Sequence, residues 1–190
     1  AVEGDWSQAA FFLVAGAISG AVRVEGLEPR SLQPDAVVAD ILSRMGADIR
    51  REGGALVSTP ARLRGADIDA SQCPDIVPPL AVAAAFAQGT TRITGAARLR
   101  VKESDRLRAL AQNLAALDIE ARELPDGLFI EGGRPEGGEI DSFGDHRIAM
   151  AFSVAAAASK RGVTLRGAQC VAKSYPKFYE DFVMLGGRIE

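Results

Sequence analysis

The tightest constraint on this chain is a pattern written three times. An aspartate followed by an alanine-rich apolar run occurs at Asp5 ("GDWSQAAFFLVAGAISG"), Asp75 ("PDIVPPLAVAAAFAQG") and Asp145 ("GDHRIAMAFSVAAAASKRG"), each 70 residues after the last. The runs close near Gly20, Gly89 and Gly162, and short strand patterns follow, "AVRVEGL", "TTRITGA" and "VTLRGA", ending at Gly26, Gly95 and Gly167. Second helix starts at Asp35, Asp105 and Tyr175 keep the same 70-residue interval. Paired strands "ADIRR"/"ALVST" and "IEARE"/"GLFIE" complete the first two copies, while the third stops at "GRIE". Two landmarks recurring at one period predict a repeat architecture. The expected fold class is α/β (α+β): three β-α-β-α-β-β units with pseudo-threefold symmetry in a single domain over residues 1–190, with repeats near 1–65, 66–135 and 136–190.

Repetition has a geometric consequence. Asp5, Asp75 and Asp145 are expected N-caps, because an aspartate oxygen can accept the free backbone N–H groups of a first helical turn. Helices related by a threefold point the same way, so their positive N-terminal ends gather on one face and attract anions. Leu107, Leu110, Ala111, Leu114 and Leu117 carry the apolar stripe of an amphipathic helix. The second helix ends at Gly46 and Gly186 in units one and three but near Asp118 in unit two, a residue that tolerates left-handed backbone better than most non-glycines.

Composition narrows the partners. With 190 residues, 47% hydrophobic and 25% charged, the chain is long enough to bury roughly 70% of its unfolded surface. A net charge of −3 leaves no overall electrostatic footprint for nucleic acid or an acidic membrane. Two cysteines, Cys73 and Cys170, make neither a disulfide framework nor a zinc set, so a reducing cytoplasm is expected. The apolar run Ala9 to Ile18 is too short to span a bilayer. The opening "AVEGD" has no basic stretch of a signal peptide and, without a Met, is expected of a chain cut from something longer.

Charge is concentrated in "LRVKESDRLRAL", where Arg100, Lys102, Glu103, Asp105, Arg106 and Arg108 crowd a helix start. Glu103, beside Lys102 and three residues before Arg106, can be a capping partner or an acid/base group tuned by its neighbours. Arg106 and Arg147 sit early in helices, where a guanidinium can clamp a carboxylate or simply form a surface ion pair. His146 is the only histidine, which excludes a multi-histidine metal site within the chain. Asp75 needs no role beyond capping, and Lys173, in a loop before a Pro-started helix, needs none beyond solubility. Together, Lys102, Arg106, Arg147 and Lys173 around Glu103, His146 and Asp75 suit a substrate carrying carboxylate and phosphate.

The stretches "RVKESDRL", "GDHRIAMAFSVAA", "CPDIVPPLAVAAAFAQGTTRI" and "CVAKSYPKFYEDF" resemble the C-terminal half of the EPSP synthase family over essentially all 190 residues. The resemblance implies one domain of a two-domain inside-out α/β barrel. It implies transfer of the enolpyruvyl group of phosphoenolpyruvate to the 5-hydroxyl of shikimate 3-phosphate, releasing phosphate. In that chemistry Asp75 meets the shikimate hydroxyl as proton acceptor and Lys102 the 3-phosphate. Glu103 shuttles the proton of the enolpyruvyl methylene carbon, with His146 hydrogen-bonding close to it. Arg106 and Arg147 hold the phosphoenolpyruvate carboxylate, and Lys173 lies near its phosphate.

The resemblance implies no metal and no organic cofactor. Its partners are the two small-molecule substrates and the N-terminal domain of the same enzyme, a monomer in the cytoplasm that engages no nucleic acid and no membrane. Arg98 stands where the family often has Asn. The family's N-terminal set (a lysine-serine-arginine group, a glycine loop and a Ser-Ser-Gln turn) is not visible, so the chain alone is expected to bind weakly and turn over negligibly. Rival readings are the sister transferase acting on UDP-N-acetylglucosamine, an RNA 3′-phosphate cyclase type, and a non-catalytic half-barrel binding module.

Overall fold

The computed structural model describes residues 2–190. Its elements fall into three groups. The first holds α1 (Trp6–Ile18), β1 (Val22–Val24), α2 (Val38–Arg44), β2 (Asp48–Glu52) and β3 (Ala55–Thr59). The second holds β4 (Asp67–Asp69), α3 (Val77–Ala85), β5 (Thr90–Thr94), α4 (Arg106–Ala116), β6 (Ala121–Leu124) and β7 (Gly127–Glu131). The third holds β8 (Gly138–Asp141), α5 (His146–Ala158), β9 (Val163–Arg166) and α6 (Phe178–Met184). Only the middle group shows the full β-α-β-α-β-β order among the described residues.

The alanine-rich helices α1, α3 and α5 pack against one another. Every residue of α3 is buried, as are Ala9 to Val14 of α1 and His146 to Ala155 of α5. A helix apolar on all sides belongs in the interior, and small side chains let three such helices approach closely. Around them lie three sheets, ordered β1-β3-β2, β4-β5-β7-β6 and β8-β9. β4 pairs parallel with β5 and β8 with β9, and the remaining pairings are antiparallel. The β5-β7-β6 order repeats β1-β3-β2, so the two sheets share one topology.

Helix α4 buries its predicted stripe, with Leu107, Leu110, Leu114 and Leu117 fully inaccessible. The buried amide of Asn113 on α4 donates to the Asp141 carbonyl at 2.7 Å and accepts from the Asp141 N–H at 3.1 Å, clipping α4 to the end of β8. After their second helices all three groups turn through left-handed backbone, at Gly46 (φ 94°), Asp118 (φ 61°) and Gly186 (φ 97°). The one non-glycine therefore keeps the conformation that its two counterparts adopt.

One capping expectation is corrected. Asp5 accepts from the N–H groups of Ser7 and Gln8, and Asp145 from that of Arg147. Asp75 caps nothing. It lies within a 3₁₀ turn, Pro74–Ile76, and Ile76 occupies the N-cap of α3. The reason is local: the N–H groups that a cap at Asp75 would serve belong to Val77 and Pro78, proline has none to offer, and the Val77 N–H is taken by the Pro74 carbonyl. Lys173 is likewise not in an open loop but ends a 3₁₀ turn, Ala168–Lys173, and α6 starts at Phe178, two residues past Pro176.

Candidate active site

Freed from capping, the Asp75 carboxylate turns to cations. Arg106 Nη1 donates to its Oδ1 at 3.0 Å, Lys102 Nζ lies 3.6 Å from the same oxygen, and Arg147 Nη2 lies 3.6 Å from Oδ2. Arg147 Nη1 also donates to the Asp75 backbone carbonyl at 3.2 Å, and its Nη2 to Ser7 Oγ at 3.0 Å. The starts of α1, α3, α4 and α5 are thus stitched to one another by side chains, and their N-terminal ends share a face as the repeat predicts.

Arg106 is the hub. Its side chain is 1% exposed, and three carboxylates take its N–H groups. Asp145 accepts from Nε at 2.7 Å and Nη2 at 3.3 Å, Glu103 from Nη2 at 2.7 Å, and Asp75 from Nη1. Asp145 is fully buried and also accepts from Ser104 Oγ at 3.1 Å. One carboxylate therefore caps α5, fixes the guanidinium of α4 and holds the loop before it. Buried charge is tolerable only when paired and hydrogen-bonded in this way.

Glu103 is clamped on both oxygens, by Lys173 Nζ on Oε1 at 2.8 Å and by Arg106 on Oε2. The hydrogen bond from Lys173, helped by the charge of Arg106, outweighs the opposing effect of burial and holds its carboxyl down to about 2. His146 is buried beside it, and burial pushes its imidazole below the ordinary histidine value, with Asp145 and Glu103 pulling the other way. Its Nδ1 is enclosed and has no hydrogen-bond partner.

All seven predicted residues, Asp75, Lys102, Glu103, Arg106, His146, Arg147 and Lys173, come together. Accessibility is graded: Arg106 is closed off, whereas Glu103, Lys102 and Lys173 are 26%, 36% and 58% exposed. The result is a rigid ionic floor with movable side chains above it. Arg98 lies in the 3₁₀ turn Ala97–Val101, where its guanidinium donates to the Ser71 carbonyl at 2.5 Å. Sequence reasoning missed Ser7 and the anchoring work of Asp145. The available signal for Ser7 was a polar residue in the first turn of an otherwise apolar helix. For Asp145 it was that a buried arginine requires a buried carboxylate.

A family model described as EPSP synthase (3-phosphoshikimate 1-carboxyvinyltransferase) matches residues 1–182. The chain is 51% identical to the 3-phosphoshikimate 1-carboxyvinyltransferase of Clostridium acetobutylicum over 189 residues, covering 99% of this chain and 44% of that protein. It is 49% identical to the enzyme of the same name from Aeropyrum pernix over 191 residues, covering 45% of it. The solved EPSP synthase of Acinetobacter baumannii superposes with a TM-score of 0.83 at 37% identity, over 100% of this chain and 47% of that one. The chain spans slightly under half the length of these relatives, and it belongs to the EPSP synthase family.

Proposed function

We propose that this chain supplies one half of the site that moves an enolpyruvyl group from phosphoenolpyruvate to the 5-hydroxyl of shikimate 3-phosphate. The observation that carries the reading is the convergence of Lys102, Arg106, Arg147 and Lys173 around Glu103 and Asp75, drawn from two of the three repeats. Phosphoenolpyruvate gains a proton at its methylene carbon and becomes cationic at C2, while the hydroxyl attacks and loses its proton. The tetrahedral intermediate expels phosphate and returns the methyl proton. A single carboxyl group among cations can act in both directions, and fixed guanidinium groups hold the reactants in attack geometry.

In this reading Asp75 takes the hydroxyl proton, Lys102 meets the 3-phosphate, and Glu103 moves the methylene proton with His146 beside it. Arg106 and Arg147 bind the phosphoenolpyruvate carboxylate, Lys173 the departing phosphate, and neither metal nor cofactor takes part. The other half of the cleft comes from the N-terminal domain of the same enzyme, a cytoplasmic monomer. No helix among the described residues is long and apolar enough to cross a membrane.

Titration calorimetry of the chain against shikimate 3-phosphate, UDP-N-acetylglucosamine and an RNA oligomer tests the substrate class. Weak binding of shikimate 3-phosphate alone is expected, and selective binding of either competitor contradicts the reading. In the two-domain enzyme Glu103→Gln is expected to lower turnover by about 10²- to 10⁴-fold with little change in substrate binding.

A further inference from the structure

Both oxygens of Glu103 are occupied by cations, and these are the two cations to which the proposed function gives other work. Lys173 Nζ sits 2.8 Å from Oε1 and Arg106 Nη2 sits 2.7 Å from Oε2. Four of the five N–H groups of Arg106 are already donated, to Glu103, Asp145 and Asp75, and its side chain is 1% exposed. A substrate that presents a carboxylate to Arg106 and a phosphate to Lys173 draws on the same two cations that hold Glu103.

We propose that Lys173 and Arg106 form a cation clamp on Glu103 that phosphoenolpyruvate itself must open, so that the acid gains its proton only when substrate is in place. This inference rests on the proposed function and adds to it a device that links binding to proton affinity. In the closed clamp Glu103 is ionised at every physiological pH, with its carboxyl held at about 2, and an ionised carboxylate has no proton to give. Once the substrate's own anions engage Lys173 and Arg106, the carboxylate loses both hydrogen bonds and faces two new negative charges. It then takes up one proton from solvent, because nearby anions and loss of cationic partners favour the neutral acid. His146, the other titratable group facing Glu103, from α5, sits below its ordinary value and is neutral at pH 7, so it supplies no replacement cation.

The geometry also assigns different parts to the two clamp members. Arg106 is immobilised beneath the site by Asp145, whereas Lys173 is 58% exposed on a flexible stem. Lys173 is the member that swings. It acts on the proton through Glu103 and is in that respect a positioning residue.

The test is a carbon-13 NMR titration of the Glu103 side-chain carboxyl in the two-domain enzyme, assigned by its loss in Glu103→Gln. Measurements are made with and without saturating phosphoenolpyruvate, in the wild type and in Lys173→Met. Without ligand the wild-type carboxyl is expected to stay ionised down to about pH 3, one unit above its held value of about 2. In Lys173→Met its midpoint is expected to be about 1 to 3 pH units higher, the usual effect of removing an adjacent opposite charge. Phosphoenolpyruvate is expected to raise the wild-type midpoint by a similar amount and the Lys173→Met midpoint by much less.

If phosphoenolpyruvate moves the Arg147 guanidinium resonances while the Glu103 midpoint stays in place, the clamp proposal is overturned and the substrate reading survives. A ligand-free Lys173→Met carboxyl that titrates like the wild type overturns it too. Absence of any phosphoenolpyruvate-dependent shift at millimolar concentration overturns both.

Discussion

At the scale of single residues, Arg106 is the side chain on which the site depends. Its guanidinium is out of contact with water and bridges carboxylates from three stretches of chain, Asp75, Glu103 and Asp145. Of these, Asp145 has no access to solvent at all. Removing the arginine strands a buried anion, a change that typically costs about 3–5 kcal/mol. Arg106→Ala is therefore expected to lower stability by about 3–5 kcal/mol in urea unfolding. The companion change Asp145→Ala, made in that background, is expected to cost far less than it does alone. Contacting residues of one ionic network show such non-additivity. Strictly additive losses in the two single variants and the double variant would show that the pair does not act as a unit.

At the scale of elements, the turn after each second helix separates what residue type dictates from what position dictates. Gly46 and Gly186 adopt left-handed backbone without a steric penalty, and Asp118 adopts it at φ 61° because the repeat demands the same exit. An L-residue with a Cβ is disfavoured there relative to glycine. Asp118→Gly is expected to raise stability by about 0.5–1 kcal/mol, the relief of backbone strain less the added entropy of the unfolded glycine. A thermal melt of the variant checks it, and a lower midpoint would mean that the Asp118 side chain contributes more than its backbone costs.

The same scale shows where a motif misleads. Asp5, Asp75 and Asp145 look alike in sequence, yet only Asp5 and Asp145 cap helices. The difference was written three residues after Asp75, in Pro78, which lacks one of the two donors a cap would use, while the other, the Val77 N–H, is taken by the Pro74 carbonyl. An aspartate whose helix-start N–H groups are absent or already paired is available for chemistry.

At the scale of the whole molecule, most of the architecture was legible because it repeats. The 70-residue period located all six helices and the strands that follow them, though not β4 and β8, which precede α3 and α5, and the face shared by the helix starts followed from symmetry. The pairing of cations with carboxylates was not legible, because spacing along the chain does not say which of Asp75, Glu103 and Asp145 a buried arginine prefers. That choice is made by packing: α3, α4 and α5 bring the three acids to one guanidinium from sequence separations of 31, 3 and 39 residues.

This convergence carries a pH dependence with a definite sign. Glu103 titrates near 2 in the folded chain against an ordinary value of 4.5. A depressed folded value stabilises the fold fully above about pH 5, and the contribution is lost as the pH falls toward 2. His146, also shifted downward, acts in the same sense over a higher window, as its unfolded form takes a proton first. Asp35, shifted upward chiefly by burial and by the nearby charge of Asp75, works against them and softens the fall. Since Lys173 is largely exposed, solvent screening limits its ion pair to about 1 kcal/mol. The melting temperature is accordingly expected to fall steadily from pH 5 to about pH 2.5. Lys173→Met is expected to melt lower than wild type at pH 7 and to converge with it at the acid end of that range. A gap between the two that stays constant across the range would place the stabilising effect of Lys173 in packing rather than in the charge of Glu103.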